Sequence, residues 1–234
     1  MRLNRLFTFT TLTFLTGLLI LASSCKKDIS TTPTVTSKCD YAPYSKGSKF
    51  TYTTSSASQI ATDTITGDTT INGVGYAKVL STGPSSSGTA SVATSFIRCD
   101  ANGTYNLIDK AQVGAVGVTA FTPTVLQGIK LPASVGLAWK SDTLKYTTSQ
   151  GVNVAVLYKM QITALGGSKT VNGTAYANNL VTVQIKTVTT ISGSGFFSVD
   201  SSGVFSGVYD KTFGLIETAQ NGTVSKSLKT ALIK

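Results

Sequence analysis

The feature that most constrains the fold of this chain is a run of period-two alternation near its centre. Val152, Val154, Val156, Tyr158, Met160 and Ile162 alternate with Asn153, Ala155, Leu157, Lys159, Gln161 and Thr163. Successive side chains of an extended strand point to opposite faces, so this pattern buries one set and turns the other outward. A second run sets Val181, Val183 and Ile185 against Thr182, Gln184 and Lys186. The first run exceeds the usual strand length of about 3–10 residues, which predicts a strongly curved sheet rather than a flat sandwich. From Tyr41 onward Thr, Val, Ile, Tyr and Phe dominate, turns recur at Gly and Asn, and no long stretch has helical spacing. The prediction is an all-β fold, a strongly curved antiparallel sheet or half-barrel.

Internal similarity predicts that this sheet is built from two similar halves. Thr69-Thr70-Ile71-Asn72-Gly73-Val74-Gly75-Tyr76-Ala77 matches Lys169-Thr170-Val171-Asn172-Gly173-Thr174-Ala175-Tyr176-Ala177, and the Phe96–Tyr105 block matches the block from Phe197 to Phe205 at the same offset. Asn-Gly pairs suit hairpin turns because both residues tolerate positive φ. Asp100–Gly103 and Asp200–Gly203 read as four-residue turns with glycine in the left-handed position. The expected repeats run from about 41 to 109 and from about 134 to 217. Residues 106–138 join them, an apolar but weakly patterned stretch carrying Gly114, Gly117, Pro123, Gly128 and Pro132. It is read as a connector, with a buried crossover, a flap or a membrane contact as alternatives.

The N-terminus carries a different signal. Arg2 and Arg5 precede the apolar segment Leu6–Ala22, and small residues lead into Cys25 at Leu21-Ala22-Ser23-Ser24-Cys25. A charged start, an apolar centre and a small-residue end make a cleavable export signal. Five threonines interrupt the apolar segment, which is also short of the roughly 20 apolar residues of a membrane-spanning helix. A permanent transmembrane anchor, or secretion with a free Cys25, are the alternatives. Residues 1–24 are thus the expected signal peptide, and residues 25–40, rich in Ser, Thr and Lys, a flexible tether to the β domain at 41–234.

The small residues before Cys25 resemble the lipobox of diacylglyceryl-modified bacterial lipoproteins, and the string from Leu21 to Asp28 looks most like leaders of Bacteroidota lipoproteins. That resemblance implies a thioether-linked diacylglycerol on Cys25. Two or more acyl chains give a stable anchor where one gives marginal binding. Lys26 rather than Asp follows the cysteine, so the resemblance implies the cell envelope and its outer membrane, on either the periplasmic or the surface face. Within the domain, Tyr41, Pro43, Gly47 and Phe50, the TTINGxxY string and the acidic-Asn-Gly turn resemble uncharacterised Bacteroidota envelope lipoproteins. Some such domains are similar to lipoprotein carriers of the LolA/LolB type, antiparallel half-barrels that hold acyl chains.

Composition narrows the chemistry. The net charge is +10, and Arg2 and Arg5 contribute two of those charges. This favours anionic partners, but there is no long run of like charges and the basic residues are not interleaved with aromatics, so nucleic acid is not an expected partner. The chain has no histidine, which removes Ser-His-Asp and Cys-His nucleophiles and the usual zinc ligands. Asp63, Asp68, Asp100, Asp109, Asp142, Asp200, Asp210 and Glu217 fall mostly at predicted turns, where aspartate serves the local backbone. No phosphate-binding glycine string is present. The expectation is a non-enzymatic chain without cofactor or metal site.

Cys39 and Cys99 are the only cysteines besides Cys25, and in an oxidising envelope such a pair suggests a disulfide, two unpaired thiols being the alternative. The strand aromatics read mainly as core. If the sheet is incompletely closed, some would line an apolar cleft for a lipid tail or other hydrophobic ligand. Trp139, Tyr158 and Tyr176 are the candidate ligand contacts. The functional expectation is a membrane-anchored envelope lipoprotein with a binding or structural β domain; the alternatives are a lipid carrier and a glycan-binding accessory protein. The sequence sets no oligomeric state.

Overall fold

The computed structural model describes residues 39–55, 59–84, 90–109, 117–193, 196–200 and 203–234. The expected signal segment, Cys25 and the tether up to residue 38 lie outside the described residues.

No described residue is helical. The strands are β1 (Lys49–Thr54), β2 (Ile60–Ile71), β3 (Val74–Pro84), β4 (Ala90–Asp100), β5 (Gly103–Ile108), β6 (Val118–Thr122), β7 (Thr124–Lys130), β8 (Ala138–Lys140), β9 (Leu144–Thr148) and β10 (Asn153–Leu165). There follow β11 (Lys169–Val171), β12 (Thr174–Tyr176), β13 (Val181–Gly193), β14 (Phe196–Asp200), β15 (Val204–Asp210), β16 (Gly214–Gln220) and β17 (Thr223–Leu232). Fifteen of them form one sheet, and thirteen follow a single path: β6-β9-β10-β13-β15-β16-β17-β1-β2-β3-β4-β5-β7. β8 pairs with β10, β14 pairs with β13, and β11 and β12 form a separate ribbon.

The two ends of this path are neighbours in sequence. β6 and β7 are separated only by Pro123, a residue without an N–H to offer a ladder. The antiparallel sheet is therefore nearly closed and barrel-like, its two edges joined through one residue. Residues 106–138 are thus a connector that itself contributes β6 and β7. Their pattern was hard to read because glycines and prolines interrupt it and because edge strands are only half covered. Register shifts at Thr51/Tyr52, Ile65/Gly67, Thr104/Tyr105, Ile162/Ala164, Val208/Tyr209 and Thr218/Ala219 mark bulges. Each bulge bends its strand and increases the local twist, which is how a long sheet curls onto itself.

Turn chemistry follows the sequence at the hairpins. Asn72-Gly73, Asn172-Gly173 and Asn221-Gly222 all hold positive φ at both residues and join β2 to β3, β11 to β12 and β16 to β17. At the β4–β5 turn Asp100 Oδ1 accepts the Asn102 N–H at 2.8 Å. Gly103 sits there at φ +138°, where a Cβ would collide with the Ile129 backbone of β7. The expected turn at Asp200–Gly203 includes residues outside the described set, and the strands on either side of it, β14 and β15, both pair with β13.

Burial falls into three clusters. The first joins Phe50, Tyr52, Ile65, Ala77 and Val79 to Val208, Ile216 and Leu228, and the β11–β12 ribbon adds Val171 and Tyr176. The second joins Ile129 of β7 to Met160, Ile162, Val181 and Val183 of β10 and β13. The third holds Leu144, Val154 and Val156, with Ile108 and Phe121 against them. Cys39 and Cys99 are bonded, with Cα atoms 6.1 Å apart and a separation of 60 positions in sequence. In the chain-entropy model a loop of that length stabilises the fold by about 4 kcal/mol.

Phe50 is 2% exposed in the first cluster, whereas Phe197 on β14 is 71% exposed. Phe50→Ala should cost about 3–5 kcal/mol, and Phe197→Ala no more than about 0.5 kcal/mol. Chemical denaturation followed by Trp139 fluorescence checks both. Equal losses at the two sites would contradict this assignment of inner and outer faces.

Candidate functional site

A half-barrel can hold a ligand against its inner face. Here it is occupied by side chains. Trp139 on β8 stands directly opposite Met160, packs against the second cluster, and donates its indole N–H to the Gln127 carbonyl of β7 at 2.8 Å. It therefore ties β7, one end of the strand path, to β8 and β10. Tyr158 bridges the second and third clusters, and burial raises its phenol pKa, with Tyr146 adding a smaller push. Tyr176 lies in the first cluster, edge-to-face with Phe213 at 5.5 Å. Trp139 and Tyr158 thus share a cluster, and Tyr176 lies apart from them. All three hold strands or the ribbon together.

The ribbon helps to fill the interior. Asn172 at its tip donates to the Leu228 carbonyl at 2.9 Å and to the Ser227 carbonyl at 3.2 Å, fixing β11–β12 against β17. Tyr41, at φ +67°, packs into the second cluster and donates its hydroxyl to the Asn179 carbonyl at 2.9 Å. Its own N–H donates to the Lys211 carbonyl at 3.0 Å.

Buried phenols concentrate beside the first cluster. Burial, then the charge of Asp63, pushes the Tyr52 hydroxyl well above the usual tyrosine range. Burial likewise raises Tyr44, with Tyr209 and Asp63 as smaller causes, and lifts Tyr209 to about 12. Lys226 pairs with Asp63 at 2.8 Å and lies 3.9 Å from the Tyr52 ring centre. A cation over a ring that also meets a carboxylate holds β17 against β1 and β2. This network is internal and structural.

Several clefts open to solvent, and Trp139 lines one of them and Tyr158 another. A third, of about 300 Å³, is lined by residues of β6, β9, β10 and β13. Strand register explains its make-up. Ala120, Thr147, Asn153, Ser192 and Phe197 stand opposite one another in a row across β6, β9, β10, β13 and β14. Thr122, Lys145, Ala155, Thr190 and Val199 form the next row. These positions alternate with the buried Leu144, Val154 and Val156, so they present hydroxyls, an amide and one ammonium. Thr147 donates to the Asn153 side-chain oxygen at 2.8 Å, which orients that amide. Phe197 and Val199 leave an exposed apolar step at the end of the two rows.

Sequence reasoning passed over these residues because Thr, Ser and Asn on a strand read as an ordinary solvated face. The signal that could have found them is register, which one strand's alternation does not supply. No group of metal-ligating side chains occurs among the described residues, and no described helix is long and apolar enough to cross a membrane.

The buried phenols set a pH dependence. Each has a folded pKa above its unfolded value near 10, so its contribution is complete below pH 10 and is lost as pH rises toward the folded value. Stability should be level between pH 7 and 9, then fall between about 10 and 12 by roughly 1.4 kcal/mol per pH unit for each tyrosine ionised only in the unfolded chain. Tyr52→Phe should make that fall shallower. Denaturation midpoints across this range test it, and a level curve to pH 12 would show that the phenols ionise freely in the fold.

Neither a protein-family profile nor a curated protein matches this sequence. Among solved structures, a protein of Bacteroides fragilis NCTC 9343, assigned as exported and as having a YmcC-like fold, superposes with a TM-score of 0.51 at 10% identity, over 83% of this chain and 100% of its own. A protein of Parabacteroides distasonis ATCC 8503, assigned as a lipoprotein, superposes with a TM-score of 0.56 at 12% identity, over 83% of this chain and 99% of its own. At these identities the likeness is one of fold, and the chain shares the barrel-like β architecture of both.

Proposed function

We propose that this chain is a cell-envelope lipoprotein, anchored in the outer membrane through acyl chains on Cys25, whose β domain is a non-catalytic module that binds at its outer surface. The observation that carries the binding reading is the filled interior. Phe50, Tyr52, Ile65, Ile129, Met160, Ile162 and Val183 are all buried, and the clefts along β10 open to solvent. A carrier of lipid tails needs an apolar space of several hundred Å³ around its ligand. The filling of this interior by the sheet and the β11–β12 ribbon supports surface binding over carriage. The leader residues before Cys25 support the anchor, as does the fold shared with one protein assigned as exported and another assigned as a lipoprotein.

Radiolabelled palmitate should incorporate into the native chain and not into Cys25→Ala. Native mass spectrometry of the protein purified from envelopes should then show the polypeptide with its covalent acyl groups and no further lipid. Absence of label in the native chain would remove the anchor, and a stoichiometric non-covalent lipid would restore the carrier.

A second reading, glycan binding, is favoured by the paired rows on β6, β9, β10, β13 and β14. A row of hydroxyls and an oriented amide beside an exposed ring offers hydrogen bonds to sugar hydroxyls and apolar area to a sugar face. Asn153→Ala and Phe197→Ala should each weaken retention on immobilised envelope polysaccharide about tenfold, since a lost hydrogen bond in the first and a lost ring face in the second are each worth about 1–1.5 kcal/mol. Retention equal to the native protein's in both variants would remove the glycan reading while leaving the anchored module in place.

A further inference from the structure

A second outward groove, of about 370 Å³, lies on β8, β10 and β13. Its chemistry is set by register. Lys159 of β10 stands directly opposite Lys140 of β8 and directly opposite Lys186 of β13. The next row places Gln161 opposite Ala138 on one side and Gln184 on the other. All five polar residues line the groove, together with Ala138, Trp139 and Met160. Three ammonium groups are thus carried by three adjacent strands, each about 4.8 Å from the next.

Like charges directly opposite each other in an antiparallel pair destabilise it, and the three groove lysines take no part in the ion pairs of the described residues. The ion pairs of the described residues engage Asp40, Asp63, Asp100 and Glu217 with Lys211, Lys226, Arg98 and Lys169. Asp210 is buried and accepts backbone N–H groups of Asn178, Thr212 and Phe213. None of these acids pairs with the three groove lysines. The lysines are exposed, so their flexible stems can bring the ammonium groups together over the groove. Gln161 and Gln184 add amide donors beside them, and Ala138 leaves room where a larger side chain would close the row. Converging cations with amide donors and no carboxylate make a site for a multiply charged oxyanion.

We propose that Lys140, Lys159 and Lys186, with Gln161 and Gln184, form a binding site for a phosphate-bearing ligand. This goes beyond the anchored-module reading and does not depend on it, because the site is built wholly from strands of the described sheet. The phosphate is either free or carried by a lipid headgroup.

The test uses the full chain purified in neutral detergent, with inorganic pyrophosphate as the free-phosphate probe and water-soluble dihexanoyl phosphatidic acid as the headgroup probe. Dihexanoyl phosphatidylcholine, which has no net charge, is the control. Binding is read by calorimetry and by the shift in thermal midpoint. Binding of both anionic probes supports a general phosphate site, and binding of the lipid alone supports a headgroup site. In either case Lys159→Gln should weaken binding about tenfold, as expected for losing one charge-assisted contact, while Lys159→Arg retains it and Lys78→Gln, a lysine on β3, leaves it unchanged. Without ligand, Lys159→Gln should melt at the native temperature or higher, because it removes repulsion. Failure of both anionic probes to bind, binding of the uncharged control with equal strength, or equal weakening by Lys78→Gln would overturn the proposal. A Lys159→Gln protein that folds and binds as the native chain does would overturn it as well.

Discussion

The constraint on which this structure depends is the need of one long sheet to cover its own apolar face. A single sheet of alternating strands leaves half of its side chains exposed unless something packs on them, and no described helix is present to do so. Here the covering comes from the sheet itself. β7 brings Ile129 onto Met160, Ile162, Val181 and Val183 of β10 and β13, and β5 brings Ile108 toward Leu144, Val154 and Val156. Because β6 and β7 flank Pro123, the strands that end the path are also the strands that return it to its start. Edge strands are a hazard where their unpaired backbone groups face other chains, and this arrangement limits that exposure.

The same economy explains the segment before β1. Cys39 is bonded to Cys99 at the end of β4, Asp40 pairs with Lys211 at 3.1 Å, and Tyr41 reaches Asn179 and Lys211. A short stretch of chain thus joins β4 to the loops around β13 and β15, strands that lie far from β4 along the path. Tyr41 holds a left-handed backbone conformation that a bulky residue adopts only when its surroundings impose it; the buried ring and the two hydrogen bonds supply that imposition. Under the proposed anchoring, a pull on the tether enters the fold at Cys39 and passes through the disulfide into a paired strand. A freely fraying terminus would not bear it.

How much of this could be read from sequence follows from which physical signals are local. The alternation around Val154–Ile162 marks β10 because strand periodicity acts within one segment. Asn72-Gly73 and Asn172-Gly173 mark hairpins because positive φ is a demand on two residues. The curvature was legible from strand length. What stayed hidden depends on partners. The alternation of β10 says that Lys159 and Gln161 face outward, but only the register with β8 and β13 sets Lys159 between two further lysines. Tyr176 looked like a cleft residue from its aromatic character, and its place under the β11–β12 ribbon rests on Asn172 reaching carbonyls more than fifty residues away. Strands β6 and β7 were obscured by Gly117, Pro123 and Gly128, residues that break local pattern and in the fold allow close approach or end a ladder.

The distribution of polar groups on the outer face sets what kind of module this can be. Along β10 the outward positions run Asn153, Ala155, Leu157, Lys159 and Gln161. The hydroxyl-and-amide rows therefore sit at one end and the lysine row at the other, with Leu157 opposite Val188 between them. Ala155 and Lys159 are four residues apart, about 13 Å along an extended strand. The buried positions of the same strand leave no such freedom: Val154, Val156, Met160 and Ile162 are each fixed by a packing partner, and exchanging them for polar groups would cost the closure that holds the sheet. Chemistry that varies without unfolding the protein is confined to the outward set. That set is where neutral donors give way to clustered cations within about 13 Å along a single strand.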